Sequence, residues 1–111
     1  MFEFHGRHMM ASIYETNVHD ANFISFTISG CLQQAGANIV GYTEYKFDNG
    51  AITFCYLLSE SHCTVHTYPE HNCMWLDVFT CGTLFDMSLF EKLLLETFQI
   101  GHIDVKIIER Q

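Results

Sequence analysis

Residues 38–81, NIVGYTEYKFDNGAITFCYLLSESHCTVHTYPEHNCMWLDVFTC, hold four β-rich runs separated by turn signals. The runs are residues 38–47, 51–58, 61–67 and 74–81. Asp48-Asn49-Gly50 divides the first two. Asn-Gly is the strongest short hairpin signal, because both central positions of a type I′ turn need positive φ. Tyr68-Pro69-Glu70-His71-Asn72, a short polar segment with the single proline of the chain, divides the last two. Four such runs in succession predict a mostly antiparallel sheet.

Outward from this block the period changes. Residues 8–15 (HMMASIYE) alternate as a strand. Residues 19–35 place Ala21, Ile24, Ile28, Cys31, Leu32 and Ala35 on one helical face, with Gly36 positioned as the C-terminal stop. Ser88 and Glu91 form a capping-box pattern before Phe90, Leu93, Leu94 and Phe98. Gly101 is expected to end that helix, and residues 103–109 (IDVKIIE) close as a strand. The order β-α-β-β-β-β-α-β predicts an α+β fold, a two-layer sandwich with two helices on one face of the sheet. The opposite sheet face then needs a partner or solvent.

The 111 residues suit one domain with one modest core. Hydrophobic residues make up 49% and charged residues 16%, a globular composition. So apolar a chain of this size has much surface to cover, and a homodimer would cover some of it. Net charge is −8, from 13 acidic and 5 basic residues. With no basic stripe, nucleic acid is not an expected partner; the balance suits a small cationic ligand. Five cysteines (Cys31, Cys55, Cys63, Cys73, Cys81) follow an N-terminus without an apolar signal core, and no run approaches the length of a membrane span. The expectation is a cytosolic, cytoplasmic protein with reduced thiols and no membrane partner.

Reactive side chains crowd into residues 59–81. One reading is a zinc site built from Cys63, His66, His71, Cys73 and Cys81, which are the right ligand types. The spacings are irregular, no CxxC pair exists, and Cys63 and His66 differ in strand parity and so face opposite ways. No metal is assigned on that basis. A second reading is structural, since a Cys or His on a strand is usually packed and satisfied; this suits Cys31, Cys55 and His102.

The third reading rests on longer motifs. Ser59-Glu60-Ser61-His62, Val65-His66-Thr67, Pro69-Glu70 and Asp77-Val78-Phe79-Thr80-Cys81-Gly82 resemble the signature of the small prokaryotic S-adenosylmethionine decarboxylases. Gly6-Arg7-His8 and Gly36-Ala37-Asn38-Ile39-Val40 extend the resemblance over nearly the whole chain, and the order of elements agrees with the two-layer fold of that family. The resemblance implies a self-processing proenzyme. Ser61 attacks the Glu60 carbonyl through an N-to-O acyl shift, and the ester then eliminates. Residues 1–60 become the β chain; residues 61–111, the α chain, begin with a pyruvoyl cofactor derived from Ser61. Its ketone captures the α-amine of the substrate and draws electrons from the breaking C–CO2 bond. By the same resemblance Cys81 returns a proton to the α-carbon and His66 helps the elimination. Thr53 stands where the family has a serine that assists cleavage. Phe47 matches an adenine-stacking aromatic, Glu60 and Glu70 match carboxylates for the ribose hydroxyls, and Tyr68, where the family has tryptophan, joins them at the substrate.

Geometry adds a partial check. A turn near residues 69–72 folds residues 74–81 back on 61–67 with paired residue numbers summing near 141, which puts Cys81 opposite Glu60–Ser61. Five residues of extended chain span about 16 Å, so His66 does not reach its own Ser61. The expectation is that His66 serves Ser61 across a two-fold dimer. Tyr68, His71-Asn72-Cys73, Met74 and Trp75 depart from the family pattern at the pocket edge. Three activities therefore stand open: decarboxylation of S-adenosylmethionine for spermidine synthesis, decarboxylation of arginine or ornithine by the same chemistry, and an unprocessed, non-catalytic partner-binding role.

Overall fold

The structure is a computed structural model and describes residues 6–14, 20–81, 84–98 and 101–110. Glu15, His19 and Gly82, which figure in the expectations above, lie outside the described residues. Strands β1 (Gly6–Tyr14), β2 (Ile39–Lys46), β3 (Ile52–Leu58), β4 (Ser61–Tyr68), β5 (Cys73–Thr80) and β6 (His102–Arg110) form one sheet in the order β2-β3-β4-β5-β1-β6. Every pairing is antiparallel. Helices α1 (Ala21–Gln34) and α2 (Met87–Thr97) cover one face. The α+β two-layer sandwich expected from the chain is the observed fold, and the order of elements is as expected.

Period-two alternation explains the sheet. Met9, Ala11, Ile13, Phe54, Tyr56, Leu58, Cys63, Val65, Met74, Leu76 and Val78 point at the helices and are buried. They pack on Ile24, Ile28, Leu32, Phe90, Leu94 and Phe98. Removing each large apolar side chain from water contributes about 1.5–3 kcal/mol, offset by the ordering of the chain. Residues of opposite parity form the open face. Met10, Tyr45, Leu57, Trp75 and Ile108 stand exposed there, a more apolar surface than solvent alone calls for.

Gly36 ends α1 as expected. Its N–H donates to the Gln33 carbonyl and the Ala37 N–H to the Leu32 carbonyl, the paired bonds of a Schellman stop. Gly36 takes φ +107°, and a Cβ there would lie 2.6 Å from the Leu84 carbonyl oxygen. Gly36→Ala should therefore cost about 1–3 kcal/mol. Gly30→Ala, where a Cβ meets nothing within 4 Å in mid-helix, should gain up to about 1 kcal/mol. Urea unfolding of the two variants is expected to shift the midpoint in opposite directions.

Three local expectations are corrected. The β2–β3 turn is not type I′: Gly50 alone takes positive φ (90°), and Asn49 does not. Gly50 N–H donates to the Phe47 carbonyl and Phe47 N–H to Ala51, while Asn49 Oδ1 accepts from Ala51 N–H, giving a longer loop in which asparagine works through its side chain. Helix α2 is not capped by Ser88 with Glu91. Asp86 is the N-cap and accepts from Leu89 N–H, which places Met87 and Phe90 in the core from the first turn. That helix closes at Phe98, whose N–H reaches the Leu94 carbonyl, so Gly101 leads into β6 rather than ending α2.

Candidate active site

The residues singled out by sequence fall into two groups on the sheet. The first sits where β4 begins. Ser59 and Glu60 bend between β3 and β4, and Ser61 is the first residue of β4. Ser61 pairs with Thr80, so residue numbers across β4 and β5 sum to 141 along the whole ladder. Cys81 follows β5 directly, and its N–H donates to the Glu60 carbonyl at 3.2 Å. The peptide carbonyl that precedes Ser61 thus accepts a hydrogen bond from the residue that carries the exposed thiol. The Glu60 side chain is held as well. Ser59 Oγ donates to Glu60 Oε2 at 2.7 Å, and Asn38 N–H donates to Glu60 Oε1 at 3.2 Å. The Ser59 hydroxyl, helped by the Asn38 amide, holds the carboxyl below its usual range.

The second group lies farther along the open face. Thr53 on β3 pairs with His66 on β4, and His66 with Trp75 on β5. Thr53 Oγ1 and His66 Nδ1 share a hydrogen bond of 2.7 Å. Trp75 stacks on the imidazole, with centroids 5.8 Å apart and planes 10° apart, and Phe47 presents an edge to it at 5.7 Å. Phe47 is 42% exposed, so it is not one of the core phenylalanines. Tyr68 stacks on His71 at 4.8 Å and lies 5.5 Å from Trp75. Glu70 is exposed in the short 3-10 turn Pro69–His71.

Between the groups lies a network absent from the sequence reading. Asp77, opposite Thr64, accepts a hydrogen bond from the Thr64 hydroxyl and another from His8 Nε2 at 3.1 Å. Its signal was available, since Thr64 and Asp77 fall on the same ladder as Ser61 and Thr80. Trp75 was likewise readable as the cross-strand neighbour of His66. A cavity of about 320 Å³ links these residues, lined on the open face by Met10, Ser12, Thr53, His66, Trp75 and Asp77.

Cys63 belongs to neither group. It is fully buried against the helices, and burial pushes its thiol well above the ordinary value, so it stays protonated and inert. It faces away from His66, as strand parity requires. Among the described residues no three His, Cys, Asp or Glu side chains converge as metal ligands, and no described helix is long and apolar enough to cross a membrane.

Comparison with known proteins agrees with this architecture. The sequence profile of the family described as S-adenosylmethionine decarboxylase matches residues 7–111. A protein of Prochlorococcus marinus strain MIT 9211, named S-adenosylmethionine decarboxylase proenzyme, is 34% identical over 111 residues, covering 95% of this chain and 88% of the relative. A protein of the same name from Prochlorococcus marinus strain MIT 9313 is 34% identical over 80 residues, covering 69% of this chain and 64% of that protein. The crystal structure of the adenosylmethionine decarboxylase from Aquifex aeolicus superposes with a TM-score of 0.82 at 27% identity, covering 98% of this chain and 92% of that one. With the profile spanning almost every residue and the fold shared along its length, the chain belongs to the S-adenosylmethionine decarboxylase family.

Proposed function

We propose that this chain is a self-processing, pyruvoyl-dependent decarboxylase of S-adenosylmethionine, cut between Glu60 and Ser61 into residues 1–60 and 61–111. The observation that carries the reading is the junction itself. A serine hydroxyl follows a bent peptide whose carbonyl is engaged by Cys81 N–H, with the Cys81 thiol exposed beside it. Donors already aimed at a carbonyl stabilise the charge that develops on its oxygen under attack. Ser61 Oγ supplies that attack, its bond to the Glu60 carbonyl carbon replaces the bond from that carbon to the Ser61 nitrogen, and that nitrogen becomes the free amine of residue 61. Elimination then takes the α-proton of residue 61, releases the Glu60 carboxylate and leaves a dehydroalanine, whose imine tautomer takes up water and loses ammonia to give the keto group.

His66 is suited to accept that proton through Nε2, with Nδ1 engaged by Thr53. It sits about 16 Å along β4 from its own Ser61 and on the face of opposite parity. In this reading the open faces of two copies pack about a two-fold axis, and His66 with Thr53 completes the junction of the partner. The exposed apolar residues of that face support such packing. The keto group made from Ser61 supplies an electron sink that no ordinary side chain offers. Cys81 then delivers a proton to the substrate α-carbon, while Phe47 and Tyr68 offer ring faces and Glu60 and Glu70 offer carboxylates for the nucleoside.

Release of labelled CO2 from carboxyl-labelled S-adenosylmethionine tests the substrate. Release is expected. No release, together with release from arginine or ornithine, would replace the substrate while keeping the chemistry. Cys81→Ala is expected to cut itself and yet turn over roughly a hundredfold more slowly, the size of a lost general acid. Full turnover in Cys81→Ala would remove that residue from the mechanism.

A further inference from the structure

We propose that Trp75 is a positioning residue for His66, clamping the imidazole plane so that Nε2 projects from the open face toward the Glu60–Ser61 junction of the partner subunit. The inference rests on the cross-subunit reading above and deepens it. Tyr45, Thr53, His66, Trp75, Ser12 and Asp104 form one row across all six strands, each opposite the next. His66 therefore sits in mid-row, flanked by a hydroxyl and an indole. The 2.7 Å hydrogen bond between Nδ1 and Thr53 Oγ1, in which Nδ1–H donates when Nε2 is the base, pins that nitrogen but leaves the ring free to swing about the contact. The stacked indole, 10° from parallel, removes the swing, and the edge of Phe47 closes the third side at 73°.

Three contacts fix a plane and a direction. A base must lie within hydrogen-bond reach of the proton it takes, and small misplacements of reacting groups are costly. Tyr68, 5.5 Å from Trp75 and stacked on His71, buttresses the outer edge of the indole. Trp75 itself is 45% exposed on the open face, so its removal spares the core, and its loss is felt through the imidazole.

The test uses full-length protein in two readouts. First, in the uncut Ser61→Ala protein, the His66 ring protons are followed by NMR. The stacked indole should shift them upfield, Trp75→Leu should abolish the shift, and Trp75→Phe should retain part of it. Second, self-cleavage is timed in the Ser61 background. Trp75→Leu should slow it about tenfold to a hundredfold, and Trp75→Phe should restore most of the rate. Three results would overturn the proposal: unmoved His66 resonances in Trp75→Leu, cleavage at the normal rate in that variant, or a defect that vanishes at high protein concentration, which would make Trp75 an interface residue only. Failure of the parent reading is distinguishable. A protein with intact Ser61 that never cuts itself contradicts self-processing, whereas the ring shifts in the Ser61→Ala protein report on the clamp alone.

Discussion

Ser61→Ala is expected to leave one uncut polypeptide of 12.8 kDa with no measurable decarboxylation, a loss of about six orders of magnitude or more. The size of the effect follows from chemistry rather than packing. In the proposed chemistry serine is the attacking group and also the atom source for the ketone. A methyl group at that position can neither form the ester with Glu60 nor become a keto acid. Ser61 is half-buried at a strand end, so the substitution should change stability by less than about 1 kcal/mol. Circular dichroism and urea midpoints should therefore match the unmodified protein, separating a dead catalyst from an unfolded one. Appreciable CO2 release by the folded variant would mean that residue 61 does not make the electrophile.

His66→Ala gives the second large effect, and mixing makes it specific. Alone, the variant should remain uncut, because in the proposed dimer each Ser61 would face a partner without the imidazole. Ser61→Ala alone should also remain uncut. Unfolded together and refolded, the two chains form heterodimers in which Ser61 of one chain meets His66 of the other. About half of the His66→Ala chains should then be cleaved, the fraction that random pairing into two-fold dimers places in mixed pairs. Thr53→Val combined with Ser61→Ala in one chain should weaken this rescue, since the bond at His66 Nδ1 is lost. If the mixture stays uncut while heterodimers are demonstrated by mass, His66 does not act across the interface.

The strand ladder was the most legible part of the molecule. One turn at residues 69–72 and one alternation sufficed to place Cys81 beside Glu60, because strand pairing has no register freedom once the turn and the buried face are set. The same ladder pairs His66 with Trp75 and Thr64 with Asp77, although ring orientation and stacking are tertiary facts that spacing does not carry. The position of β1 between β5 and β6 was not legible either. It joins segments separated by most of the chain, and nothing local marks which edge a strand will occupy. The cap of α2 was misread because two candidates lie two residues apart, Asp86 and Ser88, and burial of Met87 with Phe90 decides between them. At the β2–β3 turn the Asn-Gly pair was correct as a turn signal, yet the side-chain bond from Asn49 to Ala51 N–H replaced the expected backbone geometry.

The arrangement of the site was legible in part: strand spacing set Cys81 opposite Glu60–Ser61 and His66 about 16 Å from its own Ser61. Composition and spacing left zinc ligation, packing and catalysis all possible for the cluster at residues 59–81. The fold adds that Phe47, Thr53 and Tyr68 gather around His66 and Trp75, apart from Glu60, Ser61 and Cys81; in the proposed reading a second copy of the chain bridges that separation.

Intact mass spectrometry of freshly purified, active protein tests the central claim most directly. Two chains are expected, residues 1–60 with an ordinary carboxyl end and residues 61–111 lighter by one ammonia than simple hydrolysis would leave, with no free amine at its start. Active protein that retains the full uncut mass, or whose second chain begins with an unaltered serine, would contradict the account.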